Sequence, residues 1–360
     1  MSRNGIGAKK IQWKYYINYI VIFAVAAFYT VLSLTGNIKQ SETSLLEKIA
    51  IAIILASSLG MVVGFLGELS LGHAGFMCIG AFLGGKVSAI LAESLGNGIL
   101  TLVISVIIGG VAAALFGMII GLPALRLRGD YLAIVTLAFG EIVRTVIMNL
   151  PEGLFGGTLG LKTPRFNNKH LFIIAFILVL VCIAVIQNLL RSRHGRAITS
   201  IRDNEIAARA TGIDVTKYKL LVFTISAFFA GVAGVLYSYT QSNVQSTNFD
   251  YNYSIEILVM VVLGGIGSIN GSIIAATLVT FLNVKLQTIL TGDLAVLQNL
   301  FYALILILIV IYNNAPGLKG FREKYNFKSI FGKIFKRKSV AEAPNASGGA
   351  APENNQGEEN

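Results

Sequence analysis

Apolar positions in this chain do not alternate with polar ones; they come in unbroken blocks. Residues 15–34, 49–67, 98–121, 171–190, 219–239, 271–290 and 296–312 are each about 17–24 long and almost free of charge. A helix needs roughly 20 such residues to cross a hydrocarbon core about 30 Å thick. In hydrocarbon every backbone N–H and C=O needs a partner within the protein, which leaves helices or closed barrels. Continuous apolarity, without the alternation of a barrel strand, selects helices. Three further segments are weaker. Residues 74–94 and 130–149 carry Lys86, Glu141 and Arg144, and 254–266 is short and runs into Gly264, Gly265 and Gly267. The pattern predicts an all-α fold: a polytopic transmembrane helical bundle of about ten membrane segments, some of them discontinuous. The first block follows Arg3, Lys9, Lys10 and Lys14 but is too long for a signal-peptide core, so it reads as a retained helix.

Composition agrees with the pattern. The 360 residues are 54% hydrophobic and 13% charged, whereas soluble domains carry roughly 25% charged residues. Basic loops stay cytoplasmic, so lysine and arginine orient the bundle. With the N-terminus inside, the inner segments 1–14, 121–130, 191–219 and the tail from 313 hold 21 of the 29 basic residues. The outer loops hold five: Lys39, Lys48, Lys162, Arg165 and Lys169. That asymmetry predicts both termini inside, and it assigns the net charge of +11 to cytoplasmic loops and not to nucleic acid. The expected organisation is a basic cytoplasmic N-terminus at 1–14 and a membrane domain at 15–312 that includes a polar loop at 191–219. A basic cytoplasmic tail at 313–338 and a disordered acidic tail at 339–360 follow. The glycine-rich 150–169 is expected to be an ordered loop on the outer face. Cys78 and Cys182 lie in apolar segments and read as small hydrophobes.

Two stretches interrupt the helical pattern with glycine: "FLGELSLGHAGFMCIGAFLGG" at 65–85 and "VLGGIGSINGSIIAA" at 262–276. Paired glycine breaks in a transporter point to a substrate path. The bland account is close helix packing by small residues, which suits Gly231 and Gly234. Ionisable residues inside apolar segments are expensive. Glu141 and Arg144, three apart, share a helix face; they either offer hydrogen bonds to a zwitterion or stitch two helices as an ion pair. Glu68 and His73 flank the first break, and His73 alone is no metal site. Glu256 reads as a solvated carboxylate near the outer end of its segment. The candidate substrate path is Glu68, His73, Phe76, Glu141, Arg144, Gly264, Gly265, Gly267 and Ser268.

No P-loop, H-E-x-x-H, G-x-S-x-G or C-x-x-C occurs in the chain. The residues therefore describe a non-enzyme whose energy comes from elsewhere. The longest charged stretch, "SRHGRAITSIRDNEIAARATGIDVTKYKLL" at 192–221, has helical spacing. Ile198, Ile201, Ile206 and Ala207 or Ala208 form an apolar stripe, Glu205 and Arg209 are an i,i+4 pair, and Gly212 marks a C-cap. One or two short helices are expected there, too short to stand alone in water.

This stretch resembles the cytoplasmic loop of ABC-transporter permeases, with its E-A-A-x-x-x-G core. Here the core reads Glu205, Ala207, Ala208 and Gly212, with Ile206 inserted after the glutamate. Together with "GELSLGHAGFMCIGAFLGG", "GLPALRLRGDYLAIVTLAFGEIVR" and "VVLGGIGSINGSIIAA", it resembles the M-type subunit of branched-chain amino acid permeases. The resemblance implies a second, H-type permease subunit, two cytoplasmic ATPase subunits that bind the ATP, an extracytoplasmic substrate-binding protein, and the bacterial cytoplasmic (inner) membrane as location. No cofactor, metal or nucleic acid is implied for this chain. It further implies that the loop docks on an ATPase, through Arg196, Arg202, Asp203 and Glu205, with Ala207, Ala208 and Gly212 giving the close fit and the turn. Urea, short amides or other amino acids are alternative cargoes for the same machinery. A gradient-driven transporter is the alternative class, and it leaves the loop unexplained.

Overall fold

The computed structural model describes residues 39–289 except 128 and 167–170, together with residues 22, 27–30, 300, 303–304, 307 and 311. The chain divides into two units, Met1–Leu304 and Ile305–Asn360, and every element named below belongs to the first. The helices are α1 (Gln40–Gly60), α2 (His73–Leu95), α3 (Ile99–Ala124), α4 (Asp130–Asn149), the short α5 (Glu152–Phe155), α6 (Leu171–Arg191), α7 (Arg193–Asp203), α8 (Glu205–Ala210), α9 (Val215–Thr240), α10 (Tyr251–Gly264) and α11 (Ile269–Ile289). Seven of the described helices are long and apolar enough to cross a membrane, and α10 is a shorter apolar one. Eight of the ten expected segments are thus present as helices. The first and last, 15–34 and 296–312, lie largely outside the described residues, as do the segments 1–14, 313–338 and 339–360.

Helix ends depart from the apolar blocks for local reasons. α1 starts at Gln40, well before the block at 49, because its polar first turns continue the helix beyond the apolar stretch. α9 starts at Val215, where Asp214 accepts a hydrogen bond from the Lys217 amide at 3.1 Å. An N-cap of this kind contributes about 1 kcal/mol. The cap starts the helix four residues before the block at 219, so Lys219, shared by the expected loop and the expected block, lies within the membrane-length helix.

The core is a glycine-mediated trio. α9 packs on α2 and α3, which pack on each other. A Cβ on Gly80 would collide with the Gly231 backbone, and one on Gly234 with the backbone of Met77 and Ala81. Without large side chains the axes approach closely, and dispersion between backbones substitutes for the hydrophobic effect that lipid cannot supply. α1 is the most enclosed of the long helices, 94% of its apolar window being buried against α6, α9, α10 and α11. α3, in contrast, leaves Ile107, Leu115 and Ile119 exposed, as a lipid-facing helix does.

On the side of the bundle opposite α7 and α8, the 150–166 segment is ordered. It contains α5 and a short strand, β1 (Leu161–Lys162), antiparallel to β2 (Asn243–Val244) with Leu161 opposite Val244. Thr163 donates to the carbonyls of Ser238 and Gln241 and so ties this segment to the end of α9.

Candidate functional site

The two glycine breaks, far apart in sequence, meet in space. The last turn of α1 widens into a π-turn over Met61–Leu66 and stops at Gly67 with φ 79°. π-turns often mark functional sites. The chain then runs without helix to α2. At the other break α10 ends at Gly264, and Gly265 (φ 90°) and Gly267 (φ 84°) take conformations that residues with a Cβ rarely adopt. There Ser268 caps α11 by accepting from the Gly271 amide at 3.1 Å. A Cβ on Gly64 would collide with the Gly267 backbone, and one on Gly264 with Gly271. The breaks therefore form one seam in which backbone lies on backbone.

The polar loop docks on this seam. Ser192 caps α7, accepting from the amides of His194 and Gly195. Ile198 and Ile201 are buried beneath α7. The expected single stripe does not continue, because Asn204 ends α7 and caps α8, its Oδ1 accepting from the Ala207 amide at 3.0 Å. The break turns Ile206 outward to 75% exposure while Ala208 stays buried. It also places Arg202 and Glu205 on different helices. Gly212 (φ 85°) ends α8 with a Schellman pair of bonds, Gly212 N to Arg209 O and Ile213 N to Ala208 O, both 3.1 Å.

Three links tie loop to seam. Arg202 Nη1 donates to the Gly64 carbonyl at 3.0 Å while its Nε and Nη2 hold Asp203. Lys219, only 3% exposed, donates to Glu68 just past the first break. It also donates to Glu205 Oε2 at 3.3 Å, and Glu205 Oε1 takes Arg209 at 3.0 Å. Glu68, Lys219, Glu205 and Arg209 thus form an alternating chain of charge. It borders a cleft of about 380 Å³ that Leu66, Asn204 and Ile206 also line. Lys219 neutralises two carboxylates in a poorly hydrated place, where removing one partner of a buried pair typically costs about 3–5 kcal/mol. No atom here is arranged as a nucleophile with its base; the bonds hold the loop to the break that ends α1.

The other sequence-derived candidates fall elsewhere. Arg196 and Ala207 are exposed on the loop surface, and Gly212 is exposed at its end. His73 is 2% exposed, its Nε2 sharing a 2.9 Å hydrogen bond with Ser58 Oγ. Phe76 is buried between the rings of Phe139 and Phe223. Glu141 pairs with Arg144 at 2.7 Å and also accepts from the Tyr251 amide at 2.9 Å. A carboxylate at the first turn of α10 is favourably placed against the helix dipole, so this pair stitches α4 to α10. Lys219 and Gly64 escaped the sequence reading. Lys219 counts among the basic residues of the loop 191–219, and its position five residues after Asp214, the N-cap of α9, is the sign of its place in the helix.

The sequence is similar to those of known transport proteins. The family described as branched-chain amino acid transport system / permease component matches residues 41–312. The high-affinity branched-chain amino acid transport system permease protein LivM of Salmonella typhimurium is 33% identical over 304 residues, 76% of this chain and 68% of that protein. LivM of Escherichia coli is 37% identical over 288 residues, 71% of this chain and 66% of that protein. The ribose import permease protein RbsC of Escherichia coli is 32% identical over 141 residues, 38% of this chain and 43% of that protein. The chain spans about two thirds of the length of the LivM relatives.

Proposed function

This chain belongs to the family of branched-chain amino acid transport permease components, and on that premise we propose that it is the membrane-spanning subunit of an ATP-driven importer for branched-chain amino acids. The observation that carries the proposal is the latch: the polar loop at 191–219 is bonded through Arg202 and Lys219 to the break that ends α1. A loop fixed in this way passes a push on α7 and α8 directly to the transmembrane helices. Two partner ATPase subunits bind the ATP and supply the push. Ile206, Arg196 and Ala207 face outward to meet an ATPase, while Glu205, Arg202 and Ala208 hold the loop to the bundle. A second, H-type permease subunit completes the pore, and an extracytoplasmic binding protein delivers cargo. The location is the bacterial cytoplasmic membrane, with α7 and α8 inside. In this reading loop and glycine seam move as one body during the cycle.

Reconstitution tests the proposal. Proteoliposomes holding the complete complex are expected to accumulate radiolabelled leucine only with ATP and a hydrolysing ATPase. Competition by isoleucine and valine, but not by urea or ribose, assigns the cargo. Ribose belongs in that panel because the ribose permease shares part of this sequence.

A further inference from the structure

A second cleft lies at the other end of the same helices. The latch uses the C-terminal end of α1, the N-terminal end of α9 and the α10–α11 turn. This cleft, of about 190 Å³, is lined instead by the N-terminal half of α1, the C-terminal end of α9, the N-terminal half of α10 and the C-terminal half of α11. It far exceeds the roughly 10–15 Å³ that holds one water, so a small solute fits. Nothing in the apolar pattern announces it, because each helix contributes at most three polar residues.

Its chemistry is specific. Glu256 of α10 stands on the wall, with Oε1 accepting from Asn283 Nδ2 of α11 at 3.1 Å. That amide fixes the direction of the carboxylate. Lys48 of α1 supplies a cation to the same cleft from a different helix. Thr280 of α11 also lines it, is 9% exposed, and its Oγ1 has no partner among the described residues. A buried hydroxyl left unpaired is costly, and since Oγ1 itself is closed to the cleft, it reaches a ligand there by rotating about χ1. Ile51, Met260 and Val284 provide the apolar lining. Ligand sites are mostly apolar with a few convergent polar groups, and intramembrane carboxylates are functional by default.

We infer that this cleft is a recognition site for a small zwitterion with an apolar side chain. Glu256 takes the ammonium group, Lys48 the carboxylate, and Thr280 a hydrogen bond; Ile51, Met260 and Val284 take the side chain. A simple ion has no use for the apolar lining, and a neutral sugar has none for two opposite charges. The inference rests on the importer reading and adds a point at which the permease itself, in addition to any binding protein, selects cargo.

The test uses the complete complex in proteoliposomes with radiolabelled leucine. Glu256→Gln is expected to raise the half-saturating leucine concentration roughly tenfold with complex assembly unchanged. Thr280→Val is expected to lower uptake several-fold and to raise the melting temperature, since it removes an unpaired hydroxyl. A Thr280→Val complex that is more stable and transports normally, beside an unaffected Glu256→Gln, overturns the inference. Val284→Cys gives a reading independent of turnover, because the native Cys78 and Cys182 are both buried. A membrane-impermeant thiol reagent added outside is expected to label Cys at that position, and leucine is expected to slow the labelling. Absent labelling, or labelling that leucine leaves unchanged, overturns the inference. A wild-type complex that takes up no leucine contradicts the importer reading instead, and labelling protected by leucine still supports the site.

Discussion

A Lys219→Met complex is expected to hydrolyse ATP and to transport almost nothing. Lys219 is nearly fully buried and joins Glu68, at the break after α1, to Glu205, at the start of α8. Methionine keeps most of the volume and removes the charge. Glu68 and Glu205 then face each other without a cation, and breaking such a pair costs about 3 kcal/mol, with part recovered because Glu205 is 21% exposed. The loop keeps its Arg202–Gly64 bond but loses its ionic link to the bundle, so a push on α7 and α8 is no longer passed on in full. Leucine uptake is expected to fall at least roughly tenfold while hydrolysis continues, and Glu68→Gln added to Lys219→Met is expected to recover part of the lost thermal stability. Equal loss of uptake and hydrolysis in the single variant argues for a folding defect; normal uptake argues against the latch.

Gly264→Ala is expected to remove both stability and transport. One methyl group at this position meets the backbone of Gly271 and Ser272, which has no flexible end to yield. α10 and α11 must separate, and the seam against Gly64 opens with them. Overpacking of this kind costs about 1–3 kcal/mol, and backbone-to-backbone contacts lie at the upper end of that range. Gly98→Ala is the control: a Cβ there meets nothing within 4 Å and φ is −110°. Because Gly98 is the N-cap of α3 and Ala caps less well, this substitution is expected to cost no more than about 1 kcal/mol, without loss of transport. The measurement is thermal unfolding of the detergent-solubilised complex beside uptake in proteoliposomes.

The bundle was legible in the sequence because hydrocarbon imposes a length and a continuity that apolar blocks report directly. The loop helices were legible from spacing, and Gly212 from its place after the periodic stretch. The break at Asn204 was not, since a single polar residue in a polar stretch carries no periodic signal, and with it Ile206 was assigned to the wrong face. The meeting of Gly64 with Gly267 was hidden for a different reason. Contacts between residues 203 apart depend on how α1 packs with α10 and α11, which no local pattern encodes. Glu141 and Arg144 left two accounts open at the level of sequence. The bond from the Tyr251 amide to Glu141 favours the stitch. Glu256 read as a solvated carboxylate, and only the fold brings Asn283 and Thr280 beside it.

The claim that loop and seam move as one body is tested most directly by distance. Ala210 on α8 and Ile266 in the α10–α11 turn are both exposed and accept spin labels. With both labelled in the complete complex, the interspin distance is measured without nucleotide and again with ATP trapped by a hydrolysis-deficient ATPase. One unchanged distance distribution in the two states is the predicted result. A separation of several ångström on ATP binding would show that the loop slides over the break, and would contradict the latch.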